Sequence, residues 1–120
     1  MGKKSDIMII RDKSSAIVTF MTETISNAER ITTASEEIHA FVEEHHPGKV
    51  VFDFAKVKFF SSLVLGLILS VRAKLEADNG EVVISAIDPQ LYRVFKITNL
   101  DKIFRFFPDA ESALGSVRAD

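Results

Sequence analysis

The sequence predicts an α/β domain in which a mixed, mostly parallel sheet of about four to five strands has about four helices packed against it. Three observations support this fold class. Short β-rich runs alternate with segments of helical periodicity, and turn or capping residues separate them. The chain has 120 residues, of which 47% are hydrophobic and 27% charged, as is typical of one globular core. Neither a linker nor an internal repeat interrupts the alternation, so we expect residues 1–120 to form a single domain.

The N-terminal part of the chain predicts a β-hairpin followed by an amphipathic helix. Residues 7–10 and 16–20 are β-rich runs, and the polar residues 12–15 between them indicate a turn. Capping boxes at residues 26–29 and 33–36 leave two alternatives for the helix start, and the Pro-Gly pair at residues 47–48 ends the helix. Apolar residues at helical spacing are expected to face inward, namely Ile31, Ala34, Ile38, Phe41 and Val42.

The rest of the chain alternates strand and helix. Residues 49–54 predict a strand, residues 61–77 a helix closed by the turn at 78–80, and residues 81–87 the next strand. Asp88 as N-cap and Pro89 at the first position start another helix, whose inner spacing carries Leu91, Val94, Phe95 and Thr98. Residues 102–106 predict a short last strand, and residues 108–109 start a terminal helix with Ala110, Ala113 and Leu114 inward.

Two adjacent hydroxyls, Ser61 and Ser62, stand where a loop after a buried strand turns into a helix. The first N–H groups of a helix have no partner within it and favour a hydroxyl, a carboxylate or a phosphate. One serine is accounted for by its role as an N-cap. The pair therefore predicts a helix cap with a second, modifiable hydroxyl beside it.

The helix that follows these serines is apolar around most of its circumference. Its first residues include Leu63, Val64, Leu65, Leu67, Ile68 and Leu69. A helix laid on a sheet needs an apolar stripe on one side only, so we expect Leu63, Val64 and Leu67 to face outward as a contact surface. The alternative is a central helix that is buried on all sides.

Several classes of function are disfavoured by what the sequence contains. The formal net charge of −2 argues against nucleic-acid binding, and the absence of cysteine removes thiolate metal sites and thiol nucleophiles. No Gly-rich phosphate loop and no nucleophile elbow occurs. His39, Glu43 and His46 have a spacing that zinc could use, but a polar helix face is the simpler interpretation. We therefore expect no enzyme activity, no cofactor and no metal.

No targeting or membrane signal stands out either. Residues 1–6 superficially resemble a myristoylation start, but Asp6 stands where that signal needs serine or threonine. The longest apolar run, residues 63–69, is far too short to span a bilayer. The expectation is a soluble cytoplasmic protein that does not bind membranes.

From residue 49 to residue 114 the chain resembles a STAS domain, the module shared by anti-sigma-factor antagonists and the cytoplasmic tails of sulfate transporters. The resemblance extends more loosely to the N-terminal hairpin. The matching stretches are residues 50–57 (VVFDFAKV), 59–62 (FFSS) with Leu65-Gly66, 79–84 (NGEVVI), and 94–100 (VFKITNL) leading into Ile103-Phe104.

The resemblance implies a bacterial anti-sigma-factor antagonist that regulates transcription through a protein partner. In such antagonists a kinase, which is also the anti-sigma factor, phosphorylates a serine in the loop before this helix. That position falls on Ser62, with Ser61 as the alternative acceptor. The implied partner-binding residues are Ser61, Ser62, Leu63, Val64, Gly66 and Leu67. A serine phosphatase is a further implied partner.

The sequence departs from the antagonist pattern next to the acceptor. Ser61 replaces the family's aspartate, and Leu63-Val64 replaces a small residue and a glycine. These departures favour an alternative, a STAS assembly module that is never phosphorylated. A small-ligand or nucleotide binder is a further alternative, and an apolar helix face also allows a homodimer.

Overall fold

The computed structural model describes residues 6–117, which contain four α-helices and seven strands. The strands are β1 (Ile7–Asp12), β2 (Ser15–Phe20), β3 (Thr24–Ile25), β4 (Lys49–Asp53), β5 (Phe59–Phe60), β6 (Glu81–Ser85) and β7 (Phe106–Phe107). The helices are α1 (Ala28–His45), α2 (Ser62–Ala77), α3 (Pro89–Ile97) and α4 (Ala110–Gly115), with a 3₁₀ turn at Leu100–Lys102. Residues 1–5, with the myristoylation-like start, and residues 118–120 lie outside the described part, so the domain bounds 1–120 stay a prediction.

The five-stranded sheet confirms the predicted fold class. Its strand order is β1-β2-β4-β6-β7, and every neighbouring pair is parallel except the β1–β2 hairpin. The hairpin turn places Lys13 in the left-handed region, at φ 57°, where asparagine or glycine is the usual choice. A mixed, mostly parallel sheet with four helices is the architecture that the alternating pattern predicts.

The helices divide between the two faces of the sheet. The main core lies between α1, α2 and α3 and one face, which presents Val18, Phe20, Val50, Phe52, Val82 and Ile84. A smaller cluster of Val51, Val83 and Ala113 lies under α4 on the other face. Helix α4 has only six residues and covers only part of this face. Its main contacts are with β4, β6 and β7.

The buried Lys49 holds α4 in this place. Its ammonium group donates to the carbonyl oxygens of Ala113 (2.9 Å) and Ser116 (2.7 Å) and to the Ser116 hydroxyl (2.8 Å). These groups lie at the C-terminal end of α4, where orphan carbonyls favour a cation. Burial lowers the pKa of Lys49, and the charge of Glu81 opposes that effect.

Several element boundaries differ from the prediction. Helix α1 begins after Asn27, whose side chain accepts from the Arg30 N–H (2.9 Å), so neither predicted capping box starts it. Strand β6 ends at Ser85 because Ala86 has a left-handed backbone, at φ 55°. The last strand is not residues 102–106: a 3₁₀ turn takes Leu100–Lys102, and pairing with β6 begins only at Phe106.

Two side chains and one small sheet also depart from the prediction. Phe41 is only half-buried. Thr98 is exposed, because it ends α3 and turns its hydroxyl onto the Val94 carbonyl (2.8 Å). The parallel pair β3–β5 has no periodic signal in the sequence, since each strand has only two residues.

Candidate functional site

The two serines at the start of α2 have different environments. Ser61 is the N-cap: its Oγ accepts from the Leu63 N–H (3.3 Å), and its own N–H donates to the Ile25 carbonyl (2.9 Å). Ser62 is the first residue of the helix and is exposed. Within residues 6–117 its hydroxyl has no hydrogen-bond partner. Ser61 therefore fixes the helix start, and Ser62 offers an accessible hydroxyl at the positive end of a 16-residue helix.

The β3–β5 pair positions this helix start beside the start of α1. The N–H groups of Lys58 and Phe59 both donate to the Glu23 carbonyl, at 2.7 and 3.1 Å, and Ile25 pairs with Phe60. Because these two short strands are parallel and each leads into a helix, the N-termini of α1 and α2 lie at the same end of the molecule. Two helix N-termini together favour added negative charge there.

The three residues with zinc-like spacing connect α1 to α2 instead of gathering into a cluster. His39 Nε2 lies 2.9 Å from Ser70 Oγ, Glu43 is 3.1 Å from Lys74 Nζ, and His46 Nδ1 is 3.3 Å from Asp78. Burial and, secondarily, the charge of Lys74 lower the pKa of His39. No set of three or more histidines and carboxylates within residues 6–117 is arranged to hold a metal ion.

The apolar start of α2 is less exposed than we predicted. Leu63 does face outward and is 50% exposed, but Val64 and Leu67 are buried. The reason is that α2 packs against both α1 and the sheet, where it contacts β6, so apolar residues on several sides are covered. The prediction that Val64 and Leu67 point outward was wrong. The alternative of a helix buried on all sides is wrong as well, because Ser62, Leu63, Gly66 and Ser70 form an exposed face of α2.

Phe59 is an exposed apolar residue of the site that is not among the predicted partner-binding residues. It is 54% exposed, whereas its neighbour Phe60 is buried in the core. The two residues form β5, and consecutive strand residues point to opposite sides. Alternation in a Phe-Phe pair was the signal that could have identified one exposed ring. Phe59 and Leu63 lie on either side of Ser62 in the chain.

A shallow groove between α1 and α2 continues from Leu63. Its volume is about 310 Å³, and it is lined by Ala28, Ile31, Thr32, Ser35 and Glu36 from α1 and by Leu63, Gly66, Leu67 and Ser70 from α2. Gly66 is exposed, and a Cβ atom built on it would meet no other atom within 4 Å. Glycine inside a helix is destabilising, and nothing packs against this one. It leaves an open notch next to Leu63.

Replacing Gly66 with alanine is expected to raise the free energy of unfolding by about 0.5–1 kcal/mol, because alanine favours a helix interior and has free space here. Urea unfolding followed by circular dichroism measures this change. Gly80→Ala is the matched control and should destabilise, since its Cβ would lie 3.2 Å from Leu75 Cβ and from the carbonyl oxygens of Leu75 and Pro47. Equal effects of the two variants would contradict the open notch.

Within residues 6–117, no helix is both long and apolar enough to cross a lipid bilayer.

The family follows from comparison with known sequences and folds. The sequence model of the STAS domain matches residues 9–113, which is most of the chain. The chain belongs to the STAS domain family. It carries the fold of the anti-sigma-factor antagonists, as the predicted resemblance implied, and the stretch around Ser62 lies within the matched region.

Solved structures of antagonists show the same fold. The unphosphorylated anti-sigma factor antagonist SpoIIAA superposes with a TM-score of 0.81 at 16% identity, over 93% of this chain and 99% of that one. The phosphorylated form of the Bacillus SpoIIAA gives 0.73 at 18% identity, with the same coverage. An anti-sigma factor antagonist from Mycobacterium paratuberculosis gives 0.79 at 25% identity, over 94% of this chain and 93% of that one.

Proposed function

We propose that this STAS domain is an anti-sigma-factor antagonist that binds a serine-kinase anti-sigma factor through the start of α2, and that phosphorylation of Ser62 switches this binding off. The observation that carries the proposal is the exposed, unpaired hydroxyl of Ser62 at the first turn of α2, between the exposed apolar side chains of Phe59 and Leu63. Solved antagonists with this fold include one in both phosphorylated and unphosphorylated forms, which supports the same switch here.

The proposed docking surface consists of Phe59, Ser62, Leu63 and Gly66. The two apolar side chains supply surface to bury, and the notch at Gly66 admits a side chain of the partner. Leu67 forms part of the groove wall. Ser61 and Val64 contribute indirectly, Ser61 by capping the helix and Val64 by anchoring its first turn in the core.

The switch follows from the charge of the phosphate. A phosphoserine adds about −1.5 to −2 charges at neutral pH, which the N-terminus of a helix tolerates. An apolar interface does not tolerate them, because an unpaired buried charge costs several kcal/mol. Phosphorylation is therefore expected to abolish binding while the fold stays intact. A serine phosphatase would reset the switch.

The test is a phosphorylation assay with the serine-kinase anti-sigma factors of the source organism. Each kinase is incubated with the protein and Mg-ATP, and intact mass spectrometry detects one added phosphate. We expect wild type and Ser61→Ala to be modified and Ser62→Ala to remain unmodified. Ser61→Ala also loses the N-cap, at a cost of about 1 kcal/mol, so it serves as the control for a weakened helix start.

One observation favours a second function, a constitutive assembly module. The bulky Leu63 follows Ser62 directly and is half exposed, where antagonists of the resembled type have a small residue. An apolar residue in this place strengthens a permanent contact and hinders close approach by a kinase. A kinase that binds the protein tightly in a pull-down but adds no phosphate in the mass-spectrometry assay would support this function and contradict the switch.

A further inference from the structure

Strand β1 forms one edge of the five-stranded sheet, and within residues 6–117 it pairs with β2 alone. The pairing runs without a bulge from Ile7 opposite Phe20 to Asp12 opposite Ser15. The Met21 N–H donates to the Asp6 carbonyl (2.7 Å). Hydrogen-bonded and non-hydrogen-bonded positions alternate in an antiparallel pair, so every second residue from Asp6 onward bonds to β2. The N–H and C=O groups of Ile9 and Arg11 therefore point away from β2, where no described residue bonds to them.

Residues 7–10 of this edge lack the usual protections, and the charged side chains of β1 are confined to Arg11 and Asp12 at its end. Natural edge strands are blunted by proline, lysine, a bulge or an inward-pointing charge, and residues 7–10 contain none of these. The α4 side of β1 is also uncovered, because the main contacts of α4 are with β4, β6 and β7, away from this edge. Met8 and Ile10 on that face are 44% and 46% exposed. The outward-pointing backbone groups of Ile9 and Arg11, beside exposed apolar side chains, favour addition of another strand.

We propose that β1 pairs antiparallel with β1 of a second copy of this chain, about a two-fold axis at Ile10, so that two five-stranded sheets become one continuous sheet. A second copy presents the same outward N–H and C=O groups in the alternation that antiparallel pairing needs. In this register Ile9 of each copy exchanges both backbone hydrogen bonds with Arg11 of the other. Ile10 then lies directly opposite Ile10 of the second copy.

The charges on β1 and on the adjacent Asp6 disfavour the two neighbouring symmetric registers. A two-fold axis perpendicular to the sheet keeps every side chain on its own face, so the axis lies midway between one residue and the same residue of the other copy. An axis at Ile9 sets Asp12 opposite Asp6 of the other copy, and an axis at Arg11 sets two arginines opposite each other. Like charges in directly opposite positions are destabilising. An axis at Ile10 avoids both and brings the Lys13 end of each strand to the Asp6 end of the other.

The proposed dimer is independent of the function proposed for α2. Helix α2 begins beyond the carboxyl ends of the parallel strands, whereas β1 lies along a side edge of the sheet. A perpendicular two-fold axis points the two α2 starts in opposite directions. Each copy would keep its Ser62 accessible, and the dimer would present two separate docking surfaces.

The oligomeric state of the full chain tests the proposal. Size-exclusion chromatography with light scattering, over a concentration series, is expected to give twice the monomer mass of 13.4 kDa. Ile10→Lys should restore the monomer mass. Ile97→Lys is the matched control, since Ile97 is 80% exposed on α3, and it should remain dimeric. A wild-type chain that stays monomeric overturns the proposal, including the case in which residues 1–5 occupy the edge themselves.

Cysteine cross-linking tests the register, because the natural chain has no cysteine. The Ile10 pair is a non-hydrogen-bonded one, with Cα atoms about 4.5 Å apart, within the range for a disulfide. Ile10→Cys should therefore form a disulfide-linked dimer under mild oxidation. Met8→Cys should not, since the two Met8 residues would lie about 13 Å apart along the strands. Equal cross-linking of both variants, or of Met8→Cys alone, overturns the proposed pairing.

Discussion

Phe95→Ala is expected to lower the free energy of unfolding by about 3–5 kcal/mol, the largest effect on stability that we predict. Phe95 is completely buried, and its ring lies 5.3 to 6.5 Å from the rings of Phe54, Phe60, Phe104 and Phe106. Edge-to-face contacts of this kind add to the burial of the ring itself. Since small domains are stable by about 5–15 kcal/mol, this loss is a large part of the total.

Phe59→Ala is the matched control for this prediction. It removes the same side chain from an exposed position, so we expect a change of no more than about 0.5 kcal/mol. Chemical denaturation of both variants, followed by circular dichroism and fluorescence of Tyr92, measures the difference. If Phe95→Ala proved as stable as Phe59→Ala, the aromatic core would not be the main source of stability.

Ser62→Asp is expected to weaken binding of the serine-kinase anti-sigma factor by about 100-fold or more, with little change in stability. The variant places a carboxylate among Phe59, Leu63 and Gly66, where docking would bury it without a partner. A cost near 3 kcal/mol corresponds to about a 100-fold loss of affinity. The same carboxylate interacts favourably with the N-terminus of α2, so the melting temperature should stay the same or rise slightly. Isothermal titration calorimetry and thermal unfolding measure the two effects separately.

Ser14→Asp is the control for this experiment. Ser14 is also an exposed serine, but it lies in the β1–β2 turn, at the opposite end of the sheet from the start of α2. It should change the net charge equally and leave the affinity unchanged. Unchanged affinity of Ser62→Asp for a kinase that binds wild type would refute the switch, whereas a loss of folding in Ser62→Asp would refute the view that the helix start tolerates charge.

Local signals in the sequence predicted much of this structure. The capping residues Ser61, Asp88 and Asp109 each accept from a backbone N–H two or three residues later, at the helix starts that the sequence indicated. The strand at residues 49–54 ends one residue early, and the helix after Ser61 ends at Ala77 as predicted. These features depend on neighbours in the chain, so no knowledge of distant contacts was needed.

Only the tertiary structure decided which residues of the α2 start reach the surface. The amino-acid sequence by itself determined the fold class, the helix start and the adjacent serines, because hydrophobic period and capping are local properties. It did not distinguish Leu63 from Val64 and Leu67, because α2 is apolar on several sides and its exposure depends on where α1 and the sheet lie. The groove beside Gly66 and the edge of β1 likewise exist only once separate elements are packed together.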